Sequence, residues 1–291
     1  MLVNSSNPQQ FEIVTTTAGA ISIRDNLVNE IMHNPVGPWV EANSLYIEQS
    51  NLKGRLQDNS SDELVVYDIG LGAGANALAA LHCLRSIRET KARTLRLISF
   101  EKNLELLKFA LRHSDRFDHF RGFEIAVEAI LNKGIWIENA IHWELKLGDF
   151  RDFLDASIDR PHLIFFDPYS PKANQEVWTT NSFQKLRSIC RSEAEGGTVL
   201  YTYSQATPIR TALLASDFFV GQGSGTGLKP ETTQAATLFK DINCPLSDRW
   251  ISRWKNSHTP YPYDCLTHQE EAFRLKILKH PQFNFSATNS L

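Results

Sequence analysis

The sequence has little that would mark a secreted, metal-binding or membrane-spanning protein. Its 291 residues include only four cysteines. These cysteines are widely spaced, with no Cys-x-x-Cys pair and no histidines at ligand spacing, so we expect buried free thiols and no metal site. No apolar run approaches the roughly 20 residues of a membrane span, and the first residues are too polar for a secretory leader. These absences predict a cytoplasmic protein without a membrane anchor.

The chain also lacks an excess of charge of either sign. Thirty Lys and Arg residues face 33 Asp and Glu residues, which leaves a formal charge of −3. Such a balance gives no overall field for nucleic acid, so any RNA-binding surface must be a local patch. Either of two basic clusters could contact RNA or merely keep the surface soluble. They are Arg85, Arg88, Lys91, Arg93 and Arg96, and Arg249, Arg253 and Lys255.

A glycine-rich run from Val65 to Asn76 is typical of a buried strand, a tight turn and a helix start. Gly70, Gly72 and Gly74 remove Cβ atoms where the backbone must turn and approach a ligand, and Asp68 precedes the turn. The spacing also satisfies the looser dinucleotide fingerprint. S-adenosylmethionine presents an ammonium and a sulfonium instead of a pyrophosphate, so an acid beside the loop favours that cofactor.

Acids follow three further segments that we predict to be strands. Glu101 ends one, Asp149 follows Gly148 after the next, and Asp167 ends a third. Because ligands bind beyond the carboxyl ends of parallel strands, these acids and Asp68 should converge on one crevice. We expect Asp68 to hold the methionine ammonium directly or through water, and Glu101 the ribose. Asp149 and Phe150 would hold the adenine, although each acid could instead cap its loop or helix.

The order of patterns predicts an α/β fold with a mostly parallel sheet. Apolar strands alternate with helical patterns from residue 64 onwards, and two apolar pieces near 218–220 and 235–238 suit a terminal antiparallel pair. A short β-hairpin over 11–22 and a helix over 25–33 should precede this fold. We expect an N-terminal extension and cofactor lid (1–60), a cofactor-binding domain (61–245) and a C-terminal extension (246–291).

The segment from Asp167 to Asn174, followed by Trp178, resembles the methyltransferase domain of MnmC. MnmC is the bacterial enzyme that makes 5-methylaminomethyl uridines at the tRNA wobble position. Three other segments are similar to the same family, and the resemblance covers about residues 30 to 240. They are Trp39 to Glu48, Thr202 to Ala206, and Gly223 to Lys229.

The resemblance implies a Rossmann-like class I methyltransferase that uses S-adenosylmethionine to methylate the aminomethyl nitrogen of wobble uridine (nm5s2U to mnm5s2U). We expect Asp167 to orient the amine and accept its proton, with Tyr169 against the substrate. Glu48 would reach the cofactor from the N-terminal segment. Lys229, among glycines that expose backbone N–H groups, would bind an RNA phosphate or remain a solvated side chain.

Other functions remain open at this point. We expect no FAD oxidase domain of the MnmC type in this chain, so it would act alone or downstream of an enzyme that supplies the aminomethyl uridine. The alternatives are a methyltransferase of a small amine, a nicotinamide-dependent oxidoreductase, and a non-catalytic module that binds S-adenosylmethionine. An oxidoreductase would leave the segment Asp167 to Tyr169 without a role.

Overall fold

The computed structural model describes residues 10–32, 35–58, 60, 62–87, 92–155, 158–227 and 229–284. Three short strands form an antiparallel sheet near the start of the chain: β1 (Phe11–Thr15), β2 (Ile21–Asp25) and β3 (Glu30–Ile31). Eight more form the central sheet: β4 (Leu64–Ile69), β5 (Leu95–Glu101), β6 (Ile135–Glu138), β7 (Ile141–Leu147), β8 (Leu163–Phe166), β9 (Val199–Thr202), β10 (Phe219–Thr226) and β11 (Lys229–Ala236).

Helices connect and cover these strands. The α-helices of the described part are α1 (Pro38–Ala42), α2 (Leu52–Leu56), α3 (Ala75–Arg85), α4 (Glu105–Arg112), α5 (Glu124–Lys133), α6 (Thr180–Ile189), α7 (Thr207–Ala215), α8 (Asp248–Lys255), α9 (Glu270–Leu278) and α10 (Pro281–Asn284). A π-helical turn, Asn43–Glu48, continues α1 directly. Short 3₁₀ turns fill several of the connections.

The central sheet has the order β10-β11-β9-β8-β4-β5-β7-β6. Strands β9, β8, β4, β5 and β7 are parallel, whereas β11 and β6 run antiparallel to their neighbours. The chain adds β5 and β7 on one side of β4 and then returns to add β8 and β9 on the other. The order therefore reverses between β4 and β8, which is where ligands bind in open α/β sheets.

Both faces of the sheet are covered, which explains the continuous apolar sequence of β4. All six residues of that strand are buried. Helices α1 to α5 pack on one face and α6 to α9 on the other, so the molecule has two apolar cores separated by the sheet. Phe11 and Ile23 of the small sheet join the first core, and Trp250 and Trp254 of α8 join the second. The division of the chain into three parts stays a prediction.

The structure confirms the parallel sheet and the terminal antiparallel pair, which is β10 and β11. It contradicts the helix expected over 25–33, because that segment forms the end of β2, a turn and β3. Strand β6 was not expected either. Ile135–Glu138 is too short to be recognised as a strand from its own sequence, and it is a strand because it pairs with β7.

Three further observations concern membrane spans, metal ligands and cysteines. Within the described ranges no helix is long and apolar enough to cross a bilayer. The same ranges contain no group of three side chains suited to a metal ion. The four cysteines are free; Cys83 and Cys190 are buried as expected, whereas Cys244 is exposed and Cys265 half-buried.

Candidate active site

A cavity of about 410 Å³ opens at the carboxyl ends of β4, β5 and β8. It lies at the point where the strand order reverses. Acidic side chains outnumber basic ones in the described part of its wall, which suits a ligand with positive charge. The charged residues that line it are Glu30, Glu41, Glu101, Lys102, Asp167 and Lys229.

The glycine loop forms the floor beside β8. Gly70 and Gly72 line the cavity, whereas Gly74 lies behind it at the start of α3. Gly70 has a φ of +90°, and a Cβ atom there would lie 2.7 Å from the carbonyl oxygen of Asp167. Only glycine allows this approach, which brings the loop after β4 against the loop after β8.

Glu101 lies in the cavity wall at the end of β5. Its carboxylate accepts hydrogen bonds from the backbone N–H groups of Gly72 (2.9 Å), Lys102 (2.8 Å) and Asn103 (3.1 Å). Burial raises the pKa of this carboxyl, and the three N–H donors oppose that effect. The bonds fix the carboxylate in one orientation and leave acceptor capacity for the hydroxyls of a ribose.

Asp68 lies beneath the cavity rather than in its wall. It is fully buried, and Ser99 Oγ donates to its Oδ2 over 2.8 Å. Its Oδ1 has no hydrogen-bond partner among the described residues. Burial raises the pKa of Asp68 to about 7. This oxygen without a partner could accept a hydrogen bond from a water that links Asp68 to a bound cofactor. The position outside the wall favours this water-mediated contact over direct contact with the methionine ammonium.

Asp149 is occupied by basic neighbours. Its side chain caps the 3₁₀ turn that follows, and it pairs with the Arg151 guanidinium and, at 3.0 Å, with Lys102 Nζ. The Arg151 side chain holds the pKa of Asp149 well below its usual range. Asp149 is absent from the cavity wall, whereas Gly148 and Phe150 on either side line it. The capping alternative thus describes Asp149 here, and its contact with adenine stays a prediction.

Asp167 faces the cavity at the end of β8. Asn76 Nδ2, at the start of α3, donates to Asp167 Oδ2 over 2.7 Å. Burial, followed by the neighbouring Asp167 carboxylate, raises the pKa values of Tyr46 and Tyr203 well above the ordinary value. Asn76 thus holds the carboxylate in place, and the phenols of the buried Tyr46 and the half-buried Tyr203 stay protonated.

Tyr169 lines the cavity, but its hydroxyl is engaged by the small sheet. Tyr169 OH donates to Asp25 Oδ2 over 2.9 Å, and burial raises the pKa of this phenol. The neighbouring Ser170 hydroxyl donates to Glu30. Trp178 Nε1 donates to the Tyr169 carbonyl oxygen over 2.8 Å. The loop after β8 is therefore fixed from both sides, and Tyr169 offers its ring rather than its hydroxyl to the cavity.

The N-terminal segment contributes a different acid from the one expected. Glu48 is exposed and lies outside the cavity wall. Glu41, on α1, is only 4% exposed and lines the cavity. The π-helical turn that ends at Glu48 turns this side chain towards solvent. Contact between Glu48 and the cofactor stays a prediction.

Lys229 begins β11 and lies at the cavity, with Nζ 4.4 Å from the centre of the Tyr203 ring. This distance is typical of a cation–π contact, which orients the ammonium without neutralising its charge. A role in binding RNA stays a prediction. Leu228, which precedes Lys229 in the sequence, lies outside the described residues.

The first basic cluster is less available for RNA than its sequence indicates. Arg85 pairs with Glu138, and Arg96 pairs with Glu144 and Asp159. Arg93 donates to two backbone carbonyls. The other two members of this cluster, at 88 and 91, lie outside the described residues. In the second cluster Arg249, Arg253 and Lys255 are exposed, whereas the flanking tryptophans of α8 are buried in the apolar core.

Comparison with known proteins agrees with this geometry. Residues 126–238 match the model of a family described as S-adenosyl-L-methionine-dependent methyltransferase. The chain is 28% identical to an uncharacterized protein of Methanocaldococcus jannaschii over 78% of its own length and 60% of that protein. It is 26% identical to the tRNA 5-methylaminomethyl-2-thiouridine biosynthesis bifunctional protein MnmC of Burkholderia vietnamiensis, over 65% of this chain and 29% of MnmC. The chain thus spans less than two thirds of these relatives.

The fold is similar to a solved one. The crystal structure of MNMC2 from Aquifex aeolicus superposes with a TM-score of 0.68 at 19% identity, over 95% of this chain and 86% of that one. This likeness confirms the predicted Rossmann-like fold. The family match, over residues 126–238, favours S-adenosylmethionine over a nicotinamide cofactor. The chain is similar in sequence to MnmC and in fold to MNMC2. Its residues 126–238 match a family of S-adenosylmethionine-dependent methyltransferases.

Proposed function

We propose that the protein transfers the methyl group of S-adenosylmethionine to the aminomethyl nitrogen of a wobble uridine in tRNA. The observation that carries this proposal is the position of Asp167, directly beside the glycine loop and in a predominantly acidic cavity. Sequence similarity to the MnmC proteins supports the choice of acceptor.

The cofactor side of the cavity fits S-adenosylmethionine. Gly70 and Gly72 allow close approach of the methionine part, Glu101 presents an oriented carboxylate to the ribose, and Phe150 offers an apolar wall to the adenine. When bound, the cofactor supplies an electrophilic methyl group on a sulfonium. The wall residues would exclude water from it, and no covalent nucleophile of the protein is required.

The acceptor side has to position a neutral amine about 3 Å from the methyl carbon. Asp167, held by Asn76, would orient the amine through its N–H groups and receive the proton that the amine must lose. Methyl transfer leaves positive charge on the nitrogen. A preorganised carboxylate at that point stabilises the charge as it develops, which lowers the barrier.

The RNA itself would reach the cavity over the β10–β11 hairpin. Lys229, at the start of β11, lines the cavity and contributes a positive charge from this hairpin. We assign it to a phosphate near the target uridine. A cytoplasmic location and a preceding enzyme that makes the aminomethyl uridine follow from this substrate.

The test is transfer of labelled methyl from S-adenosylmethionine to tRNA that carries 5-aminomethyl uridine at the wobble position. The same tRNA with unmodified uridine is the matched control, and ribonuclease treatment must abolish the signal. Label confined to the single modified nucleoside would support the proposal. Label on free amines but on neither tRNA would replace it with a small-amine methyltransferase. Cofactor binding with no transfer at all would favour a non-catalytic binding module.

A further inference from the structure

Helix α8 carries three exposed basic side chains that the mechanism above does not use. They are Arg249, Arg253 and Lys255. Within the described part of the chain none of the three forms an ion pair or a side-chain hydrogen bond. Arg85 and Arg96 of the first basic cluster, in contrast, pair with acids. The charge of α8 is therefore available to an anion outside the protein.

The exposed face of α8 is entirely polar. The apolar residues of the helix, Trp250, Ile251 and Trp254, are buried against the second core. Ser252 Oγ and Asn256 Nδ2 donate to backbone carbonyls of the helix itself. A protein interface has an apolar centre, whereas contact with a phosphate backbone requires exposed cations. The surface of α8 thus favours a polyanion over a protein partner.

Hydrogen bonds join the last turn of α8 to α7. Trp254 Nε1 and Thr211 Oγ1 both donate to the carbonyl oxygen of Pro260, over 2.7 Å and 2.8 Å. Thr211 belongs to α7, which follows β9. The turn that contains Arg253 therefore lies beside the first half of α7.

The same part of α7 contacts the strand that begins with Lys229. The Arg210 guanidinium donates to Glu231 Oε1 over 2.8 Å and to the carbonyl oxygen of Thr232 over 2.8 Å. Glu231 is two residues after Lys229 in β11, and Arg210 neutralises its charge. Burial lowers the pKa of Arg210, Glu231 opposes this effect, and the charge of Arg253 adds to the lowering. The basic face of α8 thus lies close to the hairpin at the cavity.

We propose that Arg249, Arg253 and Lys255 form a surface that binds the phosphate backbone of the RNA whose target base enters the cavity. This inference rests on the proposed function and adds to it a second place at which the protein holds the tRNA. Contacts to phosphates fix the position and orientation of a nucleic acid without reading its sequence. Contacts at Lys229 and on α8 would together hold the RNA across the β10–β11 hairpin.

The two arginines are suited to separate phosphates. Arg249 and Arg253 are four residues apart, so they lie on one side of the helix about 6 Å apart along its axis. Each guanidinium can form two parallel hydrogen bonds to one phosphate, whereas Lys255 adds a point charge. Each phosphate contact releases counterions, so the logarithm of the binding constant falls by about 0.7 to 0.9 per contact for each tenfold increase in salt.

The experiment measures binding of fluorescently labelled tRNA that carries 5-aminomethyl uridine, by anisotropy at several salt concentrations. The test protein has three substitutions, Arg249→Gln, Arg253→Gln and Lys255→Gln. The matched control removes three exposed charges on the opposite face of the sheet, by Arg116→Gln, Arg121→Gln and Lys133→Gln. The double variant Arg249→Lys and Arg253→Lys keeps the charge.

We expect the α8 triple variant to bind the tRNA at least about tenfold more weakly, with a salt slope smaller by about 2. The control triple variant and the double lysine variant should remain within about threefold of the wild type. In methyl transfer the α8 variant should raise the KM for tRNA, with kcat and cofactor affinity unchanged. An unchanged salt slope, or equal weakening in both triple variants, would overturn the proposal.

Binding is measured without methyl transfer, so the two proposals can fail separately. If the wild type binds the tRNA but transfers no methyl to it, the proposed function fails, and the triple variants still decide about α8. If the wild type transfers methyl and the α8 variant binds as well as the control, only the surface is refuted. A wild type that binds no tRNA would refute the surface. Binding to phosphatidylglycerol vesicles and not to tRNA would overturn it in favour of anionic lipid.

Discussion

Asn76 Nδ2 donates a 2.7 Å hydrogen bond to Asp167 Oδ2, which joins the first helix after the glycine loop to the acid at the end of β8. Asn76 is 3% exposed, so this amide is held by the packing of α3. A donor to a charged acceptor contributes about 1.5–3 kcal/mol, and here it also selects the direction of the carboxylate. This hydrogen bond thus couples the position of the proposed base, Asp167, to the helix that follows the glycine loop.

Replacement of Asn76 by alanine should therefore reduce turnover without loss of cofactor binding. We expect kcat to fall by about tenfold to 10²-fold, since Asp167 loses its fixed orientation. Steady-state kinetics and calorimetry with S-adenosylmethionine measure the two effects separately. Asn181→Ala, which changes an exposed asparagine at the start of α6, is the control. A loss of cofactor affinity equal to the loss of kcat would assign Asn76 to the cofactor instead.

Asp167→Asn should act on chemistry alone. The amide keeps the size of the carboxylate but can neither accept the amine proton nor balance the charge on nitrogen. We expect turnover to fall by about 10²-fold or more, with unchanged affinity for S-adenosylmethionine. Asp25→Asn alters the acid that accepts from Tyr169 and so disturbs the loop after β8 without removing the proposed base. It is the control for a loss of turnover that comes from a shift of this loop. Near wild-type turnover in Asp167→Asn would remove this residue from the mechanism.

Glu101→Ala should weaken cofactor binding. Its carboxylate is oriented by three backbone N–H groups and lines the cavity, so its loss removes a preformed acceptor for the ribose hydroxyls. We expect the affinity for S-adenosylmethionine to fall about tenfold, or about 1.4 kcal/mol, in calorimetry. Glu105→Ala, an exposed acid one turn further along that pairs with Lys108, is the control. Unchanged affinity in Glu101→Ala would remove Glu101 from the cofactor site.

The sequence could predict Glu101 and Asp167 because their position depends on strand order alone. Any acid that ends a parallel strand next to the switch point lies at the same edge of the sheet. The side chain of Asp149 could not be placed in this way, because its orientation depends on Arg151 folding back to pair with it. This ion pair depends on the side-chain rotamers of Arg151 and Asp149, which the periodicity of a strand does not predict.

Glu41 lines the cavity and Glu48 does not, and the backbone conformation between them explains the difference. The two glutamates are two helical turns apart, so a regular α-helix would present both on one face. The π-helical turn Asn43–Glu48 adds a residue to the winding and rotates Glu48 away from the cavity. Nothing in the local residue types distinguishes this turn from an α-helix, since it forms where the segment packs on the sheet.

Gly70→Ala should disturb the site, whereas Gly196→Ala should not. Both glycines have φ near +90°, so each substitution incurs left-handed strain of roughly 1–2 kcal/mol. A Cβ at Gly196 meets nothing within 4 Å, but at Gly70 it would lie 2.7 Å from the Asp167 carbonyl oxygen and 2.9 Å from Pro168 Cα. Denaturant unfolding should show a larger loss for Gly70→Ala, and methyl transfer should fall only in that variant. Equal stability losses would show that the two loops are free to separate.

Stability should depend on the ionisation of Asp68. Burial raises the pKa of Asp68 from 3.8 to about 7 in the folded protein. Between these values the folded state binds the proton and the unfolded state does not, so Asp68 lowers the free energy of unfolding as pH rises from 4 to 7. Asp68→Asn lacks this titration. Its stability relative to the wild type should therefore increase over that interval, by at most about 4 kcal/mol, and level off above pH 8. Denaturant unfolding at several pH values measures the difference, with Asp118→Asn as the exposed control. A difference that does not change with pH would mean that Asp68 is already ionised at pH 4.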